Sequence, residues 1–247
     1  MFQIQIRTLL SVFTIAALGH DYYSVDAAPL DPSGYSLYSS NGDVTLNNLT
    51  QVSIGGNVRS EISTCTFNNI SSLSIIGSVV CSGNIKFNNL SGSVTGVIHS
   101  LSGVTVSKGF STGGTTVVNS ISPLLLGQTS APVGSLDPNY VLPITIVTGD
   151  YDVNGSVTLS GTIFATGDIH INNGSSISGS GALVAAGAVH LNNVSSVGTS
   201  GAQFFIYALG SGGIDTNNIS SLAIKGTLYA PNGAVKLNNI GTVNISG

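Results

Sequence analysis

Side chains able to do chemistry are scarce in this sequence, and they gather. Asp150 and Asp152 flank Tyr151; Asp168 and His170 follow about 18 residues on, and His190 after a further 20. If these segments stack in register, Asp150 falls under Asp168 and Asp152 under His170. Paired carboxylates so placed are what acid/base cleavage of a polysaccharide requires. Against that reading, Gly-Asp is also a common corner, repeated at Gly42-Asp43, and no Lys or Arg lies nearby to hold an anionic sugar. The expectation is a non-enzyme with no catalytic residue and no cofactor. Two histidines at equivalent positions raise the question of a metal. A site needs a third ligand and a supporting outer shell, and the sequence identifies neither. The expectation is no metal, with Thr45, Lys86, His170, His190, Asp215 and Lys236 forming an outward, solvated face.

These residues share one position of a repeat. The unit is Gly-x-Φ-x-Φ-Asn-Asn-Φ-Ser-x-Φ, where Φ is apolar, followed by a short apolar run. It is written as GDVTLNNLTQVSIGG from Gly42, STCTFNNISSLSIIGSVVC from Ser63, GNIKFNNLSGSVTG from Gly83 and GDIHINNGSSISGSGALVAA from Gly167. It returns at Gly187, Gly213 and Gly233. The second Asn falls at 48, 69, 89, 173, 193, 218 and 239, in steps of 21, 20, 84, 20, 25 and 21, and 84 is four times 21. Such a period signals a solenoid. Each unit holds three short alternating runs, such as those at 168–171, 176–178 and 182–185, suited to strands with one buried face. Gly, Asn and Ser fill the corners. The predicted fold is all-β: a right-handed parallel β-helix of about 20–21 residues per coil, with nine or ten coils and a length of roughly 45–50 Å. The five extra residues of the 25-residue step are expected near 203–211.

The Asn pairs (Asn47 and Asn48, Asn68 and Asn69, Asn88 and Asn89, Asn172 and Asn173, Asn192 and Asn193, Asn217 and Asn218, Asn238 and Asn239) are expected to stack as hydrogen-bonded ladders at a corner. Six of the second asparagines also head N-x-Ser/Thr sequons. The favoured reading makes the second Asn an inward ladder residue closed to glycosylation, leaving Asn154 and Asn244 as off-ladder glycosylation candidates. Cys65 and Cys81 both take inward positions of one coil, on either side of a corner. They are expected close enough for a disulfide; two buried thiols or bonds between subunits are the alternatives.

Bulk composition agrees with a solenoid. Only 6% of the 247 residues are charged and 42% are hydrophobic, and the net charge of −4 comes without a basic cluster, which argues against nucleic-acid binding. Arg7, the apolar run Leu9–Leu18 and Val25-Asp26-Ala27 read as a secretory signal peptide over 1–28, too short in its apolar run for a comfortable membrane span. A lead-in follows at 29–41, then N-terminal coils over 42–122, a Pro-rich loop or joint over 123–145, and C-terminal coils over 146–247.

The Gly-Asp-Ile-x-Ile-Asn-Asn coils, together with GTLYAPNG at 226–233, resemble β-solenoid segments of prokaryotic envelope, sheath and pilus-associated surface proteins. More loosely they resemble the bactofilins. The resemblance covers most of 42–247 and implies a structural, self-associating role, with the chain itself as partner. A secreted fibre, sheath or surface layer suits the leader, the sequons and the low charge. An adhesion module gripping cell-surface glycans or ice is the alternative. The expected assembly end is the last coil, with Val243 and Ile245 at core-like positions and no cap following.

Overall fold

In the computed structural model, the described residues are 35–113, 116–118, 143–174, 176–199 and 202–246. The expected signal peptide over 1–28 and most of the Pro-rich segment lie outside them. Among the described residues there is no helix, and all twenty strands pair in parallel. The first half of the chain gives β1 (Tyr35–Ser39), β2 (Val44–Ile54), β3 (Asn57–Ser60), β4 (Cys65–Ile75), β5 (Val79–Cys81), β6 (Ile85–Val94), β7 (Ile98–Ser100), β8 (Val104–Val106), β9 (Phe110–Thr112) and β10 (Thr116–Val118). The second half gives β11 (Ile144–Val147), β12 (Tyr151–Asn154), β13 (Val157–Ala165), β14 (Ile169–Asn172), β15 (Ser176–Ala185), β16 (Val189–Val197), β17 (Phe204–Ala208), β18 (Ile214–Lys225), β19 (Leu228–Ala230) and β20 (Val235–Ser246). They wind into a β-solenoid of about nine turns, roughly 40 Å tall at about 4.8 Å per coil.

Alternation sets the interior. In β2 and β4 the first three residues are buried, half-buried and buried, and the pattern resumes after the Asn pair. One inward column runs Ile169, Val189, Ile214, Val235, Val44, Cys65, Ile85, and every member is fully buried. Beside it, Phe67 stacks on Phe87 at 4.9 Å and Phe87 on Phe110 at 4.3 Å. Gly92 sits at a register shift, where the offset between paired residues of β4 and β6 falls from 20 to 19. Its φ is +137°, and a Cβ there would lie 1.9 Å from the Leu73 carbonyl oxygen. The five extra residues before Asn218 are split. The offset between paired residues is 20 at Val197, 23 at Phe205 and 25 at Ile214, so three precede β17 and two follow it.

The order of coils in space is not their order in the chain. β20 lies between β18 and β2, and β1 lies between β19 and β3. The stack therefore runs from 144 up to 246 and continues at 35 up to 118. The coil at this seam takes two sides from β20 and the third from β1, with no peptide bond between them. The Gly55 N–H donates to the Ile245 carbonyl at 2.6 Å, and the Val235 N–H to that of Asp43 at 2.9 Å. The Thr227 hydroxyl donates to the Tyr35 carbonyl at 2.7 Å.

This arrangement corrects three expectations. Val243 pairs with Leu222 and Val52, and Ile245 with Ile224 and Ile54; both are fully buried in mid-stack, so they are not an assembly end. Residues 35–39 are not a lead-in but a side of the seam coil. The 84-residue step is not four successive coils, because Val118 and Ile144 stand at opposite ends of the stack.

Cys65 and Cys81 form a disulfide, with Cα atoms 6.1 Å apart and both residues fully buried. It closes a 16-residue separation across one coil, where loop-closure entropy corresponds to about 3 kcal/mol. Urea unfolding of the C65A/C81A double variant should show a stability about 2–4 kcal/mol below wild type. Because the bond is buried, added reductant should leave the native protein unchanged until it begins to unfold.

Candidate functional site

The Asn-Asn corner carries two functions in its two residues. The second Asn of all seven pairs has φ between 46° and 56°, the left-handed bend that turns the chain from one side of the coil to the next. Among side-chain-bearing residues, Asn tolerates that bend best. These second asparagines are exposed, which overturns the inward placement. Their amides still form a ladder on the outside. Asn69 Nδ2 donates to Asn48 Oδ1 at 3.0 Å, Asn89 to Asn69 at 2.7 Å, and Asn48 to Asn239 across the seam at 3.1 Å. Asn239 donates instead to Asn217, the first Asn of the next pair, at 2.8 Å, and from Asn218 the run goes on to Asn193, Asn193 to Asn173, and Asn173 to Asn154 at 2.9 Å. Asn154 is thus a ladder member, contrary to its off-ladder reading. Asn244 is exposed and lies in register with Ser53 and Ala223, away from the ladder.

Two residues before each pair, the outward position builds one polar column. In register it reads Asp152, His170, His190, Asp215, Lys236, Thr45, Thr66, Lys86, Thr105. The seam places Thr45 directly after Lys236. His170 Nδ1 lies 2.8 Å from Asp152 Oδ1, and the His170 and His190 rings stack at 5.1 Å with 15° between planes. Asp168 sits two residues before His170, in the corner that leads into β14. One ligand atom from each of Asp168, His170 and His190 lies within 4.8 Å of the other two. The i, i+2 spacing of Gly-Asp-Ile-His already set Asp168 close to His170; sequence reasoning paired it with Asp150 or gave it a corner role and did not place it beside both rings.

The corner role is also real. Asp150 Oδ1 accepts the Asp168 N–H at 2.8 Å, Asp168 Oδ1 accepts that of Ala188 at 2.7 Å, and Asp43 Oδ1 accepts that of Thr64 at 3.0 Å and the Ser63 hydroxyl. Each carboxylate pins the next coil. Two shallow surface depressions lie elsewhere, one along Asn69, Ser71, Asn89, Ser91 and Lys108, the other along Pro143, Thr145 and 158–163; no carboxylate lines either.

A second cluster had no signal in the repeat. Tyr38, Tyr229 and Tyr207 are adjacent on the outer side of the third face, yet each is buried. Tyr38 donates to Glu61 Oε1 at 2.9 Å, and Arg59 bridges Glu61 and the Tyr35 hydroxyl, each at 2.9 Å. Burial, and then the Glu61 charge, raise the Tyr38 hydroxyl far above the ordinary tyrosine range and push that of Tyr229 up to about 12. No family model, curated protein or solved structure matches this chain.

Two outcomes follow. Asn69→Ala should cost about 1–2 kcal/mol in urea unfolding, from the left-handed backbone and the lost amide bonds, and Asn69→Gly less. Equal losses would place the contribution in the ladder instead. For the tyrosines, the folded state holds its protons more tightly than the unfolded state. Their stabilisation is therefore complete below about pH 10 and declines as pH rises through the folded values. The urea midpoint should fall between about pH 10 and about pH 12, the value for Tyr229, with tyrosinate absorbance at 295 nm appearing in step with unfolding.

Proposed function

We propose that the protein is a secreted, non-catalytic structural solenoid that associates head to tail through the two ends of its stack. The observation that carries this is the state of the end coils. Inward positions that are fully buried in mid-stack are only half-buried at the ends: Val104 and Phe110 at one, Tyr151 and Val153 at the other. Val106, in the column of Leu46, Phe67 and Phe87, is 43% exposed. Strand edges that no described residue covers invite pairing with another chain.

The two ends are compatible. β10, β8 and β9 form the three sides of one end, and β11, β12 and the start of β13 the three sides of the other. A copy placed on top continues the parallel ladder without changing direction, and such a contact repeats without closing. Lys108 is the only charged residue of 104–113, against Asp150 and Asp152 in 144–160, so the ends are opposite in sign. The seam supplies an internal precedent, since β2 stacks on β20 and β1 on β19 although neither pair is consecutive in the chain. Export is supported by the leader-like 1–28 and by the buried disulfide, which belongs to oxidising compartments.

Sedimentation velocity over a concentration series, with negative-stain microscopy, tests the reading. Wild type should form linear oligomers along the solenoid axis, and Val106→Lys or Val153→Lys should leave monomers with an unchanged β circular dichroism spectrum. A wild type that stays monomeric at all concentrations would sink the proposal, as would oligomers that survive both substitutions.

A further inference from the structure

We infer that Asp168, His170 and His190 form a binding site for a divalent transition-metal ion on the outer face of the solenoid. The argument begins with preorganisation. His170 and His190 occupy the same position on adjacent, in-register strands. The residues on either side of each, Ile169, Ile171, Val189 and Leu191, are fully buried in the core. The backbone is therefore fixed, and the two rings have only their own torsions to adjust. They already lie parallel and stacked.

The hydrogen bonds select the ligand atoms. Asp152 Oδ1 lies against His170 Nδ1, so the ring donates from that nitrogen and presents the lone pair of Nε2 outward. A carboxylate behind a ligating imidazole fixes its tautomer and strengthens it as a donor. Asp168 is held through Oδ1 by the Ala188 N–H, which leaves Oδ2 to turn toward the rings. One nitrogen of each ring and one carboxylate oxygen of Asp168 already lie within 4.8 Å of one another. Ligation at about 2.0–2.2 Å requires separations nearer to about 3.3 Å, a closure within reach of side-chain rotation. Asp168, His170 and His190 are all partly exposed, so an ion can enter and keep water or an outside ligand in its remaining positions.

The donor set defines the class of ion. Two imidazoles and one carboxylate suit Zn²⁺, Ni²⁺ and Cu²⁺ and not Mg²⁺ or Ca²⁺, which require oxygen cages. Asp152 acts as a positioning residue.

The test uses tag-free full-length protein. Calorimetric titration with Zn²⁺ should give a saturable isotherm at one ion per chain, and Mg²⁺ should give none. His190→Asn and His170→Asn should each weaken Zn²⁺ binding by tenfold or more. Asp152→Asn should weaken it about 10–100-fold, as outer-shell changes do. His99→Asn, on another face, should leave it unchanged. The electron paramagnetic resonance spectrum of the Cu²⁺-loaded wild type should show coupling to two nitrogens, a readout that does not depend on any variant folding. Coupling to a single nitrogen, a His99 variant as impaired as the His190 variant, or the absence of saturable binding would overturn the site.

Discussion

In-register stacking is the constraint on which everything else depends. A coil of about 20 residues has no interior of its own; its inward side chains are covered only by the coils above and below. Val44 is buried because Val235 lies beneath it and Cys65 above. A slip of one residue would turn each inward column outward. The structure guards against that with corner bonds as well as strand bonds. The aspartates of the Gly-Asp corners accept the N–H of the next coil, and the asparagines donate amide to amide along the outside. The same registration that builds the core brings chemically distinct side chains together, because residues 20 apart become neighbours. The histidine stack and its carboxylates arise in this way.

Much of the fold was legible because solenoids write their geometry into the sequence. The repeat gave the three-sided parallel coil, and the strand alternation identified the inward columns. What the repeat cannot convey is the order in which coils stack. Periodicity is one-dimensional, and Val243 reads as a terminal position whether or not another segment docks on it. The 84-residue step reinforced the wrong picture by matching four coils, when it in fact passes from one end of the stack to the other.

The Asn pair was misread for a related reason. Pattern alone shows that both positions matter but not that the second lies in a left-handed bend, which directs its amide outward. The buried tyrosines were invisible because the third side varies between coils, from Val184 to Tyr207, Tyr229, Tyr38 and Arg59. Asp168 illustrates a limit of another kind. Its role as a corner acceptor was a sufficient explanation, and a second role for its other oxygen emerges only when the rings are placed beside it.

The seam has a consequence for how the chain comes to be folded. During synthesis the segment containing β2 emerges long before the segment containing β20, and their partners Val44 and Val235 are 191 residues apart. Until the later segment arrives, the underside of β2 is an open strand edge above unfinished apolar columns. Contacts this distant in sequence form slowly. The early half must therefore wait with its edge unpaired. During that interval, the β20 of a neighbouring chain offers the same hydrogen bonds and the same side chains as the chain's own.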